Sequence, residues 1–370
     1  MSTLYMPVRC FFGQGCLRDP NPIWTEWPDP VLVMAGKSSA GNGSLQDLTD
    51  QLTSAGKAFD VVDDLHPNPS SSQLDQIAQA MASRSVRSLI GLGGGSNLDA
   101  AKALSLMIAN SIPAEDIFVP EKLKSALPMI AIPTTSGTGS EATPYTVIND
   151  DTRQRKAGIG NPLIFPRYAF LDPGYTLTLP AVVTRDTAID ALSHLMEGIY
   201  STQSNPLVIP LIQAGTALIL KALPRIEQNP GDRQAREDLM TASLYGGIVI
   251  AQTSTTLQHS LGYPLTFHLN ISHGLANGMV MPIILEFYGD PVKRQWLEIL
   301  RHSGLKSLEE FYDWLQERGI CFSCPQVSRL DLEGISRTTL NARNTLISPR
   351  SITLDDIRDL YRRLAGVCNS

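Results

Sequence analysis

Cysteine is scarce: five residues, Cys10, Cys16, Cys321, Cys324 and Cys368, are spread over 370 positions. An odd number at such spacing builds no disulfide framework in a chain of this length, and it points to a reducing compartment. Cys321-Phe-Ser-Cys324 has no second pair to complete a zinc site and no βαβ pattern before it, so it reads as incidental thiols. No cluster of Lys and Arg interrupts a net charge of −6, which argues against a nucleic-acid partner. No run of about 18 consecutive apolar residues is available to span a bilayer, and MSTLYMPVRC lacks the apolar core of a signal peptide. The expectation is a soluble, cytoplasmic protein with no membrane partner. Internal repeats, low-complexity tracts and long charge runs are also missing, which sets aside solenoids and disordered tails.

What remains is an ordinary globular composition, 43% apolar and 18% charged, in a chain longer than one hydrophobic core usually organises. Two domains are expected. VLVMA (31–35) is a buried-strand run that ends in Gly36-Lys37-Ser38-Ser39. An amphipathic stretch over 44–55, the strand-like AFDVVDDL and a helical pattern over 72–83 follow. Strand and helix alternating at this spacing predict a parallel sheet with crossover helices.

SVRSLIGL (85–92) then empties into Gly93-Gly94-Gly95-Ser96-Asn97-Leu98-Asp99, ahead of the helical AAKALSLMIAN. Glycines let backbone N–H groups approach a phosphate, and the helix N-terminus behind them carries partial positive charge. Ser96 and Asp99 have the spacing of a capping box that would start the helix. The loop departs from the usual dinucleotide fingerprint, with Leu98 in place of the third glycine, and lacks the Gly-Lys-Ser/Thr ending of a P-loop. A second loop, Thr134-Thr135-Ser136-Gly137-Thr138-Gly139-Ser140-Glu141, follows the strand PMIAIP (128–133). Its hydroxyls and glycines suit either an anion cradle or a flexible turn. Two such loops at strand carboxyl ends favour a nucleotide lying across the sheet edge.

YAFLDPGYTLTLP (168–180) marks a boundary, after which nearly all spacing is helical. A helix is predicted from Thr184, as N-cap, to Ser201, with Asp190 and His194 one turn apart on one face. Such a pair can grip a divalent metal or sit as a capping pair. Further helical patterns cover 206–223, 232–251, 273–288, 307–318 and 353–365. HSLGYPLTFHLNISH (259–273) holds three of the six histidines. On one unbroken helix its end histidines would lie about 21 Å apart, too far for one ion. The expectation is that Gly-Tyr-Pro and Asn-Ile-Ser both break the helix and fold the chain back.

GGGSNLDAAKA, PTTSGTGSEATPYTVI, DALSHLMEG and the 259–273 stretch, in this order over nearly the whole chain, resemble the iron-containing (group III) alcohol dehydrogenases, relatives of glycerol dehydrogenase and dehydroquinate synthase. The resemblance implies a dehydroquinate synthase-like architecture: an α/β dinucleotide-binding domain with a Rossmann-like parallel sheet over 1–180, an all-α helical domain over 181–370, and an active site in the cleft between them. It also implies a metal, Fe(II) or Zn(II), held by Asp190, His194, His259 and His273, the last opening a His-Gly-Leu-Ala segment. It carries Gly94, Gly95, Ser96 and Asp99 over as the pyrophosphate loop and Thr134, Thr135, Thr138 and Ser140 as further cofactor contacts. Lys156 falls where the family places a lysine near the nicotinamide.

Two departures bear on chemistry. Where many members have a histidine four residues after the third ligand, this chain has Tyr263, which leaves Tyr263, His268 or a water relay as the proton route. Where NAD-preferring members carry an aspartate after the first strand, this chain has Gly36, Lys37, Ser38 and Ser39. A lysine and hydroxyls accept a 2′-phosphate that a carboxylate would repel, so NADP(H) is favoured over NAD(H). GNPLIFPRYAFLDP and VIAQTSTTLQHSLGYPLT look most like the phosphonoacetaldehyde reductase, or hydroxyethylphosphonate dehydrogenase, branch. That branch implies a small aldehyde or alcohol substrate bearing a phosphonate, with Arg153, Arg155 or Lys156 as candidate cations. The expected assembly is a homodimer or higher homo-oligomer. A dehydroquinate synthase-like cyclase and a glycerol dehydrogenase-like polyol enzyme are the rival readings.

Overall fold

Aliphatic runs bounded by glycine, proline or asparagine become strands: β1 Arg9–Phe12, β2 Val31–Ala35, β3 Phe59–Val62, β4 Ser88–Gly93, β5 Met129–Pro133, β6 Tyr145–Asp150, β7 Arg155–Gly160 and β8 Tyr168–Leu171. The computed structural model describes residues 2–366; Cys368 lies outside the described residues. Four helices intervene: α1 Ile23–Glu26, α2 Ser44–Ser54, α3 Ser71–Met81 and α4 Gly95–Asn110. Six strands form one wholly parallel sheet in the order β1-β8-β5-β4-β2-β3, and β6 and β7 form a separate antiparallel hairpin that the sequence patterns did not announce. In β2, β4 and β5 every residue is buried, as expected for strands covered on both faces. The core runs through Val31, Val33, Ile90, Leu92, Ile130, Ile132 and Phe170, under Leu48 and Leu52 of α2 and Trp24 of α1. Each such side chain contributes about 1.5–3 kcal/mol by leaving water.

The chain runs from β2 out to β3 and returns to β4 on the other side of β2. The carboxyl ends of β2 and β4 therefore form a topological switch point, the place where open parallel sheets bind ligands. The register pairs Ala35 with Leu92 and Gly93 with Pro133, which brings the loops after β2, β4 and β5 to one level.

From Ala181 the structure is helical: α5 Ala181–Tyr200, α6 Ile209–Gln228, α7 Arg233–Thr253, α8 Leu257–Leu269, α9 His273–Tyr288, α10 Asp290–His302, α11 Leu308–Glu317, α12 Leu332–Leu340 and α13 Leu354–Leu364. The last five have no strand among them, while α10 and α12 were not legible as separate patterns. By its contacts the chain divides into Met6–Pro180 with Asn229–Met240, and a second unit made of Ala181–Gln228, the residues from Thr241 onward and those up to Tyr5. A single boundary at 180/181 leaves out this excursion, in which Arg236 is buried and donates to the carbonyl of Pro230 at 3.2 Å.

Three local expectations are corrected. Thr184 is not an N-cap but lies inside α5, one turn from its start. Ser96 and Asp99 form no capping box: α4 begins at Gly95 behind Gly94, without a side-chain cap. Gly262-Tyr263-Pro264 does not break α8, which runs through it. Pro264 has no N–H for the carbonyl of Ser260, and that oxygen instead accepts from Thr339 Oγ1 at 3.4 Å, while Tyr361 Oη donates to the next carbonyl, Leu261, at 3.2 Å. Only the second interruption breaks the helix, where Asn270 takes φ +55° and α9 starts afresh at His273. Among the described residues one helix, α6, has the length and a mean hydropathy of 1.2 that would suit a membrane span, although no uninterrupted apolar run was apparent. Its Ile212, Gly215, Ile219 and Leu223 are buried in packing against other helices.

Candidate metal centre and nucleotide loops

Asp190 sits in the middle of α5, buried to 3% exposure, with His194 one turn and Glu197 two turns further along the same face. One carboxylate oxygen, Asp190 Oδ1, lies 3.7 Å from Nε2 of His259, 3.8 Å from Nε2 of His273 and 4.0 Å from Nε2 of His194. Asp190, His259 and His273 each offer a ligand atom within 4.8 Å of the others. Tetrahedral ligands at about 2.1 Å from a metal stand about 3.4 Å apart, so a small contraction closes these atoms on one ion. The His194 and His259 rings stack at 4.9 Å and His273 meets His259 edge-on at 5.1 Å. Asp190, His194 and His259 are buried, whereas the His273 side chain keeps 24% exposure and leaves the cluster accessible from its side. The four residues expected to hold a metal are thus brought together by α5, the first turn of α8 and the first residue of α9.

Two side chains that sequence reasoning missed complete the cluster. Glu197, fully buried, meets His259 Nδ1 with one carboxylate oxygen and with the other accepts from Thr256 N at 2.6 Å and Thr256 Oγ1 at 2.8 Å. Asn277, one turn into α9, donates to Asp190 Oδ1 at 2.9 Å and stands 3.0 Å from His259 Nε2. A heptad-spaced acid after Asp190 and His194 was the available signal for Glu197. Burial drives the Asp190 carboxyl upward, but the imidazoles of His194, His273 and His259 outweigh it and hold Asp190 well below the usual carboxylate range. Burial lowers His259, yet the Glu197 charge and the hydrogen bonds to Asp190 and Glu197 prevail and push it up to about 9. Two buried carboxylates among imidazoles demand positive charge, which is what a divalent cation brings.

Of the three residues considered for proton transfer, Tyr263 is the one the fold places at the cluster. It follows His259 by one turn of α8 and stacks on His273 with ring centroids 5.5 Å apart. His268 is not brought there: nine residues beyond His259 on a continuous helix put it about 180° round the axis, and it is exposed, edge-on to Phe267 at 5.0 Å. Lys156, on β7, donates from Nζ to Asn68 Oδ1 at 2.9 Å.

In the first unit the three loops at the switch point are stitched together. Gly36 N donates to Leu92 O at 2.7 Å and Thr134 N to Gly93 O at 2.9 Å. A Cβ on Gly95 would stand 2.6 Å from Thr138 Cγ2, and Gly94 lies against Thr135, so the two glycine loops pack directly. Thr134 Oγ1 and Ser136 Oγ of the second loop are buried with no hydrogen-bond partner among the described residues. Lys37 and Ser38 are exposed beyond β2, while Ser39 is buried and donates to Leu92 O at 3.5 Å.

Two residues expected to contact the cofactor also make hydrogen bonds inside the unit. Asp99 accepts from Ser140 Oγ at 2.8 Å and from Val147 N at 3.0 Å. Ser140 in turn receives the ammonium of Lys102, a fully buried lysine that also donates to the carbonyls of Ser140, Thr143 and Tyr145 at 2.6, 2.9 and 2.8 Å. Through these bonds Asp99 and Ser140 fasten α4 to the threonine-rich loop. Ser96 Oγ accepts from Asn68 N at 3.0 Å, which ties the glycine loop to the residue that also holds Lys156. Lys102 was unremarked in the sequence; an isolated lysine inside AAKAL, among small and apolar neighbours, is the signal. Arg153 and Arg155 both lie beside the buried Asp150, at 2.9 and 4.0 Å.

Comparison with known proteins gives a family for both halves of the chain. Residues 7–173 match the iron-containing alcohol dehydrogenase model and residues 184–365 match the C-terminal model of the Fe-containing alcohol dehydrogenase family. Lactaldehyde reductase of Escherichia coli K12 is 28% identical over 370 residues, covering 95% of this chain and 96% of that protein. An iron-containing alcohol dehydrogenase of Thermotoga maritima superposes with a TM-score of 0.91 at 36% identity, covering 98% of this chain and 99% of the other. Sulfoacetaldehyde reductase of Bifidobacterium kashiwanohense, solved with NAD+, superposes with a TM-score of 0.85 at 26% identity over 99% of both chains. With both halves matched in order and a solved homologue alike over almost its whole length, this chain belongs to the iron-containing alcohol dehydrogenase family.

Proposed function

We propose that the chain is a metal-dependent, NADP(H)-preferring aldehyde reductase whose substrate is phosphonoacetaldehyde, reduced to 2-hydroxyethylphosphonate. The observation that carries the oxidoreductase reading is the convergence of His194, His259 and His273 on Asp190 Oδ1 within 4.0 Å, with His273 on the accessible side. One carboxylate and three imidazoles suit Fe(II) or Zn(II). When bound there, the metal would supply Lewis acidity toward a carbonyl oxygen and a reduced nicotinamide would supply the hydride.

The chain's own residues supply the rest. Asp190, His194, His259 and His273 hold the ion, and Asn277 orients the Asp190 carboxylate through its 2.9 Å bond. Tyr263, stacked on His273, donates the proton that completes the alcohol. Gly94 and Gly95 at the start of α4, with Thr134, Thr135 and Thr138 of the loop packed on them, would hold the pyrophosphate. Exposed Lys37 and Ser38, with no carboxylate at Gly36, take the 2′-phosphate.

Support for the substrate comes from the likeness of GNPLIFPRYAFLDP to the phosphonate branch, and from the sulfoacetaldehyde reductase, a relative named for another small aldehyde bearing an acidic group. Arg153, Arg155 and Lys156 are the candidate cations for the phosphonate, Arg153 and Arg155 beside Asp150 and Lys156 bonded to Asn68. The reading places the enzyme in the cytoplasm as a homodimer or higher homo-oligomer, which sedimentation of the purified chain tests.

A steady-state screen of aldehydes against NADH and NADPH, after loading with Fe(II) or Zn(II), decides the activity. Net NADPH consumption with phosphonoacetaldehyde, at a higher kcat/KM than with uncharged aldehydes of similar size, is expected. Turnover without net nucleotide consumption would point to cyclase chemistry and overturn the reading.

A further inference from the structure

The contact between Glu197 and His259 goes beyond holding two helices together. Glu197 has no exposed surface, and its carboxylate accepts from the start of α8: Thr256 N, Thr256 Oγ1, His259 N at 3.4 Å and His259 Nδ1. The N-cap of α8, Thr256, makes no capping bond with its own side chain, so Glu197 Oε1 takes over that task from a neighbouring helix. A carboxylate only accepts, so the proton on His259 must sit on Nδ1. In the neutral imidazole that a metal requires, Nε2 then keeps its lone pair, on the side where Asp190 Oδ1 stands 3.7 Å away. Glu197 lies seven residues after Asp190, two turns of α5, so one helix face carries both a ligand and the group that aims the next ligand.

We infer that Glu197 is the positioning residue of the metal centre: its carboxylate fixes the tautomer and ring orientation of His259, and the affinity for the ion depends on it. This rests on the metal reading above. Carboxylate partners of ligating imidazoles in other metalloproteins change metal affinity about 10- to 100-fold when removed.

The test is titration of full-length chain with Zn(II) against a competing chelating indicator, for wild type, Glu197→Gln and Thr256→Val. Glutamine keeps an oxygen for Thr256 but presents an N–H group to Nδ1, which drives the imidazole proton to Nε2 and blocks the ligand. The expected result is a zinc affinity about 10- to 100-fold weaker in Glu197→Gln, with an unchanged far-ultraviolet spectrum, and an unchanged affinity in Thr256→Val. Equal affinity in Glu197→Gln and wild type overturns the inference, as does an equal loss in Thr256→Val, which would make the effect one of capping α8. A wild-type chain that takes up no zinc fails the metal reading itself. Should Glu197→Gln not fold, ¹⁵N imidazole spectra of the zinc-loaded wild type, with only six histidines, decide it. A proton on His259 Nδ1 and a metal-shifted Nε2 are expected; the reverse overturns it.

Discussion

A Cβ placed on Gly274 would lie 1.7 Å from the carbonyl oxygen of Asp186. The start of α9 is thus seated against the backbone of α5, and this contact brings His273 within reach of Asp190. Backbone cannot step aside as a flexible side chain does, so Gly274→Ala must push the two helices apart. Overpacking of this kind costs about 1–3 kcal/mol or more. A drop in Tm together with loss of bound metal is expected; a variant with wild-type metal content would refute the account.

Removing a ligand should be more severe than removing stability. Asp190→Asn and His259→Ala are expected to lose turnover entirely, as is wild type treated with a chelator, and added Zn(II) or Fe(II) should restore only the wild type. Full activity in chelated, metal-free protein would end the metal-dependent reading.

Tyr263 and His268 separate cleanly because they lie on opposite sides of α8. Tyr263→Phe keeps the stacking on His273 and removes the hydroxyl, so kcat should fall by about 100-fold or more with metal content intact. His268→Gln, at an exposed position, should behave as wild type in kcat and KM. The opposite pattern would return proton transfer to His268.

Cofactor choice is testable at Gly36. Its φ of −79° and ψ of 146° suit any residue, though a Cβ there would come 3.1 Å from Asn97 Oδ1. Gly36→Asp is expected to shift the ratio of kcat/KM for NADPH over NADH at least about tenfold toward NADH, through repulsion of a 2′-phosphate. An unchanged ratio removes NADP(H) preference from the proposal.

Glu141 makes stability depend on pH. Burial pushes its carboxyl up to about 7, with a backbone hydrogen bond and Lys102 opposing. Between the ordinary value of 4.5 and about 7 the folded chain therefore holds a proton that the unfolded chain has released. The contribution is complete below pH 4.5 and lost as pH rises through about 7. Glu141→Gln should gain stability over wild type progressively across that window, up to about 3 kcal/mol. Thermal melts showing a pH-independent difference would contradict this.

Legibility followed the range of the forces involved. VLVMA, the run ending at Leu92 and PMIAIP were readable as strands because full burial on both faces leaves continuous apolar runs, and α9 from His273 to Tyr288 matches its periodic pattern. Asp190 and His194 were readable as a pair because one helical turn fixes their separation. Pro264 misled, since Thr339, which bonds to the open carbonyl of Ser260, and Tyr361, which bonds to that of Leu261, come from far along the chain. The bonds of Asp99 and Ser140 to Val147 and Lys102 were not legible, because nothing local records partners about 40 to 50 residues away along the chain.

By itself the sequence determined what depends on neighbours within a turn or a strand: the alternation that makes a parallel sheet, the glycine loops at strand ends, and the facing of acid and imidazole on one helix. Tertiary structure alone decided which side chains meet. The single break at Asn270 turns α9 back so that His259 and His273 converge, while Glu197 reaches across to orient one of them. Hydrogen bonds and close packing act over a few ångströms in space, whatever the separation along the chain, and no local period records them.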